Sequence, residues 1–186
     1  MGLGLTLVFI VVVVALVAVW FVVTYNGLVQ LRNRVDNAWG QVDVQLKRRY
    51  DLIPNLVETV KGYAEHEQST FDAVVAARNL ASSAGTVAEQ SQADNMLTGA
   101  LRQLFALAEA YPDLKASANF SDLQGQLAET EDKISISRQI YNDTVLTYNN
   151  KVQTVPSNVV AGMSGFKARD FFDAPTVADE APAVEF

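Results

Sequence analysis

The hydrophobic pattern changes character once along the chain. From Leu3 to Val23 only Gly4 and Thr6 interrupt a run of Leu, Val, Ile, Ala, Phe and Trp, and these 21 residues carry no charge. As an α-helix at about 1.5 Å per residue the run measures about 32 Å, and a hydrocarbon core is about 30 Å thick. The pattern therefore predicts a transmembrane anchor over residues 3–23. A cleaved signal peptide fits it less well. No Lys or Arg precedes the run, the apolar stretch exceeds a normal h-region, and no small-x-small site follows.

Past Tyr25 the apolar positions fall into a helical rhythm. Leu28, Leu31, Val35, Ala38, Val42 and Leu46 recur at spacings of three and four, one face of an amphipathic helix, with Arg32, Arg34, Asn37 and Gln41 mostly off it. No breaker stands between Val23 and this stripe, so the anchor is expected to run straight into it as a rod. Pro54 in Asp51-Leu-Ile-Pro predicts a kink or tight turn at 51–54, because proline interrupts the helical ladder. A second helix is then expected over about 55–81, with Leu56, Val60, Tyr63, Phe71, Val74 and Ala77 as its stripe. Ser82-Ser-Ala-Gly-Thr reads as a loop.

A third helix is expected over about 87–111, with Leu97, Leu101, Leu104, Ala108 and Tyr111 on one face and Pro112 ending it. After a connection at 112–120, Ser121 with Gln124 three residues on is a capping-box signature that would start a fourth helix. Its stripe is Leu123, Leu127, Thr130, Ile134, Ser137, Tyr141, Thr144 and Tyr148, ending near Val155-Pro156. No strand-like alternation of useful length occurs. The predicted class is all-α: a transmembrane helix, then an antiparallel four-helix bundle over 25–155. An aromatic and basic segment follows at 156–174, and the residues 175–186 read as an acidic disordered tail.

Composition narrows this further. Net charge is −7 and the pI about 4.6, which argues against nucleic acid as a partner and against anionic lipid bound through bulk charge. There is no cysteine, which excludes disulfides, thiol chemistry, Cys-ligated metals and lipoprotein modification. Beside the anchor, Arg32, Arg34, Lys47, Arg48 and Arg49 come with only Asp36 and Asp43 among them. The positive-inside rule then places the C-terminal domain in the cytoplasm and the N-terminus outside.

Candidate chemistry is sparse. His66 is the single histidine, and Glu65-His-Glu lacks the second histidine that a zinc helix needs four residues on. Glu109, Glu129, Glu131 and Asp132 are the carboxylates available for acid–base or metal work, but di-metal bundles need Glu-x-x-His elements from two helices. Surface charge, or a partner such as Arg138 for Glu131, is the simpler reading. Neither a phosphate-binding glycine loop nor a Ser/His/Asp order can be argued, so no catalytic residue, metal ligand or cofactor is assigned. Two stretches remain suggestive. Lys47, Arg48 and Arg49 form a basic cluster that would either complement a helix C-terminus or touch phospholipid headgroups. Phe166, Lys167, Arg169, Phe171 and Phe172 would either strap the open end of the bundle or lie at a membrane interface.

Several blocks together carry a resemblance. They are Tyr25-Asn-Gly-Leu-Val, Arg32-Asn-Arg-Val, Ala38-Trp39, and the long stretch Asp43-Val-Gln-Leu-Lys-Arg-Arg-Tyr-Asp-Leu-Ile-Pro-Asn-Leu-Val-Glu-Thr-Val-Lys-Gly-Tyr-Ala-Glu-His-Glu67. Glu109-Ala-Tyr-Pro-Asp-Leu-Lys115, Phe120, Leu123-Gln124, Thr130-Glu131, Arg138, Tyr141-Asn142, Tyr148-Asn149 and Pro156-Ser-Asn complete the set. From the anchor to about residue 172 the chain resembles the bacterial LemA family, with the tail after Asp173 outside the likeness. The resemblance implies an N-terminal span, a short outside N-terminus and a helical-bundle domain. It imports no catalytic site; relatives look like membrane-linked factors, some associated with magnetosome formation and others found beside membrane proteases or stress functions. The expected function is a non-enzymatic, membrane-anchored scaffold or membrane-organising protein that self-assembles into a homo-oligomer. An adaptor for a membrane protease or signalling protein is the alternative, with a carboxylate-based metal protein or enzyme behind it.

Overall fold

The computed structural model of the chain describes residues 2–64 and 66–172, with side chains from Gly4 onward. Glu65, the end of the expected 156–174 segment and the whole acidic tail lie outside the described residues. The protein is all-helical, and no strand occurs among the described residues. The helices are α1 (Gly2–Lys61), α2 (Gln68–Ser83), α3 (Val87–Glu109), α4 (Pro112–Lys115), α5 (Ala118–Gln153) and α6 (Ser157–Met163).

α1 is one helix of 60 residues, so the expected continuity past Val23 holds and no tight turn interrupts it at 51–54. Proline inside a helix removes the N–H that would reach the carbonyl four residues back. For Pro54 that carbonyl belongs to Tyr50, and the Arg78 side chain of α2 takes its place: Nε donates to Tyr50 O at 3.3 Å. The helix survives its proline because a side chain from another helix supplies the missing donor. The chain leaves the helix instead after Lys61, where Tyr63 and Ala64 both donate to Val60 O. Tyr63, expected on the second stripe, lies in the turn there and is exposed.

The other helix starts follow local chemistry. α3 opens with a capping box: Thr86 Oγ1 accepts from Glu89 N at 3.2 Å, while Glu89 Oε2 accepts from Thr86 N at 3.0 Å and from Gly85 N at 3.0 Å. Those backbone donors hold the exposed Glu89 carboxyl below its ordinary pKa. The capping box expected at Ser121 does not form. α5 already begins at Ala118, and Ser121 N bonds Ser117 O at 3.1 Å inside its first turns. Pro112, expected only to stop α3, also starts the one-turn α4, where its fixed φ suits the first helical position.

The chain divides into two compact units, and α1 and α5 each contribute residues to both. The first comprises the residues up to Trp39 with Asn142–Arg169; the second comprises Gly40–Tyr141 with the described residues from Asp170 onward. In the first, Leu28, Val35, Val145, Tyr148, Val160 and Phe166 are buried. In the second, Val42, Leu46, Leu56, Phe71, Leu97, Leu104 and Ile134 are among the buried apolar residues. The stripe positions Leu28, Val35, Val42 and Leu46, and Leu127, Thr130, Ile134, Tyr141 and Tyr148, all face inward as their spacing required. The apolar start of α1 has no such cover: Leu5, Phe9, Leu16 and Val23 are all exposed, and α1 is long and apolar enough to cross a membrane.

Candidate functional site

The most unusual chemistry lies inside the second unit. Arg49 of α1, among the most deeply buried side chains, reaches Asp94 of α3 and Glu131 of α5. Its Nη1 donates to Glu131 Oε2 at 2.6 Å; its Nη2 lies 3.1 Å from Asp94 Oδ1 and donates to Thr98 Oγ1 at 3.0 Å. The other Asp94 oxygen forms an ion pair with Arg138 of α5. Both Arg49 and Asp94 side chains are 1% exposed and Arg138 is 11% exposed, whereas Glu131 is 48% exposed. Two guanidinium groups thus share one fully buried carboxylate, and the second negative charge sits at the edge of the cluster.

Isolated buried ions cost several kcal/mol each, so a cluster of this kind persists only when charge and geometry are both matched. Desolvation dominates here. It lowers the pKa of Arg49 against the opposing pull of Glu131 and Tyr50, and, with the neighbouring Arg49 charge, it brings Arg138 down to about 10. Both guanidinium groups stay charged at neutral pH. Arg138 also lies over the Phe172 ring, 4.6 Å from its centroid, so its outer face meets π density. Next to the cluster, the Tyr50 hydroxyl accepts from Gln90 Nε2, which also donates to Ala81 O at 3.1 Å. Burial raises the pKa of that hydroxyl, the Arg49 charge opposing.

A cleft of about 360 Å³ opens beside the cluster, lined by Leu101, Phe105, Leu127 and Ala128 with Arg49, Arg102 and Glu131 as charged neighbours. It offers an apolar bed with both charge signs at its edge. Of the carboxylates singled out from the sequence, Glu109, Glu129 and Glu131 are held in ion pairs, and Asp132 is exposed. Glu109 meets Lys115 at 2.5 Å; Glu129 meets Lys133 at 2.6 Å and Arg48 at 3.9 Å; Glu131 meets Arg49 rather than the expected Arg138. The Lys133 hydrogen bond, helped by the Lys133 and Arg48 charges, lowers the Glu129 pKa. His66 is exposed, and no group of three potential metal-ligating side chains occurs among the described residues.

The basic cluster of the sequence does not act as one. Successive helical residues point about 100° apart, so Lys47 and Arg48 are exposed while Arg49 turns into the core. Arg49 is thus buried beside two exposed neighbours and reaches the surface only at the cleft, and α1 does not end there, so the helix-end reading of the cluster lapses. The Phe166–Phe172 stretch is split in the same way. In the first unit, Phe166 is buried, 5.6 Å from the Tyr25 ring in an edge arrangement, with Arg32 over it at 5.3 Å. Tyr148 Oη donates to Lys167 O at 2.9 Å, and the Asn149 side chain brackets Arg169, donating to its carbonyl and accepting from its N–H, both at 2.8 Å. The Arg169 side chain pairs with Asp36 at 2.8 Å, and the Lys167 side chain stays exposed. In the second unit, Tyr141 Oη donates to Asp170 O at 2.9 Å, Phe172 is buried and Phe171 is partly exposed.

What turns the chain into this segment is a Schellman ending of α6. Gly165 adopts φ +73°, Phe166 N reaches back to Ala161 O at 3.0 Å, and Gly165 N to Gly162 O at 3.4 Å. Sequence reasoning missed Asp94 altogether, since a single aspartate in an amphipathic helix looks like surface charge. The only available signal was that Asp94 shares a stripe with Leu97 and Leu101.

A family model described as the LemA family matches residues 38–186. The chain belongs to the LemA family. The match begins after the anchor and continues past residue 172, where the motif resemblance stopped, so the tail lies within the family's span. Among curated proteins, this LemA-family chain is similar to magnetosome protein MamQ 2 of Paramagnetospirillum magneticum, 26% identical over 90% of this chain and 71% of the relative. It is equally similar to magnetosome protein MamQ 1 of that organism. Protein LemA of Metamycoplasma hominis is 29% identical over 73% of this chain and 63% of the relative. The names of these relatives fit a membrane-associated helical protein and specify no activity.

Proposed function

We propose that this LemA-family chain is a non-enzymatic, membrane-anchored scaffold that self-assembles at the bacterial inner membrane, its N-terminus outside and its helical part cytoplasmic. One observation carries the reading. α1 is a single 60-residue helix whose apolar first third is exposed while its later residues, from Leu28 onward, supply buried core positions. Such a helix gains by placing its first third in lipid, at about 25 cal/mol per Å² of apolar surface removed from water. The up-down helical bundle expected from the periodicity belongs to the same reading. The similarity to proteins named for the magnetosome supports a role in organising membrane or its partners.

Light scattering on the full chain in detergent tests the assembly: multiples of the 20.3 kDa chain mass are expected, and a strict monomer at every concentration contradicts it. Topology is tested by Ala183→Cys, which should resist a membrane-impermeant thiol reagent in intact cells; ready labelling places the helical part outside. A second reading, an adaptor for a membrane protease or signalling protein, draws on the cleft beside Arg49 and Glu131, whose apolar bed and mixed charge suit a partner's side chains. Proximity labelling separates the two. One dominant protein partner favours the adaptor, while copies of the chain and lipid favour the scaffold.

A further inference from the structure

The first unit carries an apolar surface that the fold leaves uncovered. On α6, Ser157, Val160 and Ala161 face inward and are buried. Val155, in the turn before α6, and Val159 and Met163 of α6 are 80%, 56% and 76% exposed. For so short a stretch this is a large apolar outlay that the described residues leave open.

Its position says what covers it. The α6 ending binds Phe166 back to Ala161, and Phe166 packs on Tyr25, two residues past the end of the apolar run at Val23. Met163 is only three residues from Phe166, at most about 11 Å of chain. The exposed face of α6 is thereby held beside the point where α1 leaves the bilayer. Tyr25, partly exposed at that point, is the residue type that favours the headgroup level.

Charge gives a second, independent indication. The chain is acidic overall, at −7. After residue 23, however, this unit holds five basic residues, Arg32, Arg34, Lys151, Lys167 and Arg169, against two acidic ones, Asp36 and Asp143. The acidity lies elsewhere, and the part of the chain nearest the span is basic. Lys151 and Lys167 flank α6 in sequence and are exposed. Basic residues within a Debye length of an anionic leaflet add to its hold on a protein, and apolar residues of an interfacial helix sink into the headgroup boundary.

We propose that α6 is a second membrane contact: Val155, Val159 and Met163 dip into the interface of the anionic leaflet from which α1 emerges, with Lys151 and Lys167 on its headgroups. This rests on α1 crossing that bilayer. The contact fixes the first unit against the membrane at two points, so that it cannot tilt freely about the span.

Because the chain has no cysteine, single nitroxide labels test this directly in the full chain reconstituted into liposomes. Labels at Val159→Cys and Met163→Cys are compared with Leu16→Cys in the span and Asn150→Cys on an exposed α5 position, using oxygen and a nickel chelate as relaxation agents. Positions 159 and 163 should show oxygen-to-nickel accessibility ratios severalfold above position 150, and higher in phosphatidylglycerol-containing vesicles than in pure phosphatidylcholine. Ratios equal to that at position 150, with position 16 embedded, overturn the α6 contact and leave the anchor standing. A solvent-like ratio at position 16 overturns the anchor itself. Shielding from both agents, with spin–spin broadening lost on dilution by unlabelled chain, identifies a second copy as the occupant and overturns the proposal. Indifference to phosphatidylglycerol removes the electrostatic half. Glutamate at both Val159 and Met163 should drop a label at Val155→Cys to the position-150 ratio; an unchanged value contradicts the proposal.

Discussion

Replacing Asp94 with asparagine probes the physics of the buried cluster most directly. The substitution keeps shape and removes one charge from a site where Arg49 and Arg138 have no other fully buried anion among the described residues. At an effective dielectric near 20, each attraction across about 4 Å amounts to about 4 kcal/mol, before desolvation and the repulsion between the arginines are set against it. Breaking a buried pair at one partner typically costs about 3–5 kcal/mol. The lower end applies here, because Glu131 still holds Arg49 at 2.6 Å. A loss of about 3 kcal/mol is a large share of a domain stability of about 5–15 kcal/mol. With a urea m-value of about 2 kcal/mol/M, the midpoint should fall by about 1.5 M. Far-UV circular dichroism of the full chain in detergent follows it. The exposed comparator Glu129→Gln should leave the midpoint nearly where it is. A loss below about 1 kcal/mol for Asp94→Asn, or one matched by Glu129→Gln, refutes the reasoning.

Other expectations follow from single contacts. Arg78→Ala should cost about 1–2 kcal/mol by leaving the Tyr50 carbonyl without a donor, and much less in a Pro54→Ala background, where residue 54 regains its N–H; equal costs in a double-mutant cycle would contradict the role given to Arg78. Gly165→Ala should cost about 1–2 kcal/mol purely through backbone strain, since its Cβ would meet nothing within 4 Å; thermal melting checks this, and Gly165→Asn should melt closer to the parent. Tyr50 and Tyr148 both have raised pKa values, through burial foremost. Such groups hold their protons longer folded than unfolded, so their contribution is complete below about pH 10 and is lost as pH rises through the folded values. Stability should decline above that point, and Tyr50→Phe should remove a late-titrating phenolate from the 295 nm signal.

Much of the helical architecture was legible because it rests on periodicity. The stripes from Leu28 to Leu46 and from Leu127 to Tyr148 needed only the 3.6-residue repeat, and the anchor only length and composition. What escaped were features decided by distant residues. Pro54 is a valid local stop signal, overridden because Arg78 supplies the donor that proline removes. Ser121 with Gln124 is a valid capping pattern, superseded because α5 begins a turn earlier. Arg49 sat in a run of three basic residues that looked like surface, and its inward partners Asp94, Thr98 and Glu131 lie 45, 49 and 82 residues on. The Tyr148-Asn149 pair, quoted for the family resemblance, does have a structural job: it grips the backbone at Lys167 and Arg169. Its partner segment has no period, so no pattern could have matched the two.

The account depends above all on α1 running unbroken from the exposed apolar stretch into the packed residues after Tyr25. A pulsed electron–electron distance measurement between nitroxides at Val8→Cys and Gln30→Cys, in liposomes with doubly labelled chains diluted by unlabelled ones, tests this. A continuous helix at about 1.5 Å per residue predicts one narrow distribution centred near about 33 Å. A broad or multiple distribution, or a mean many ångströms shorter, would mean a hinge at the membrane surface and a tether rather than a rod.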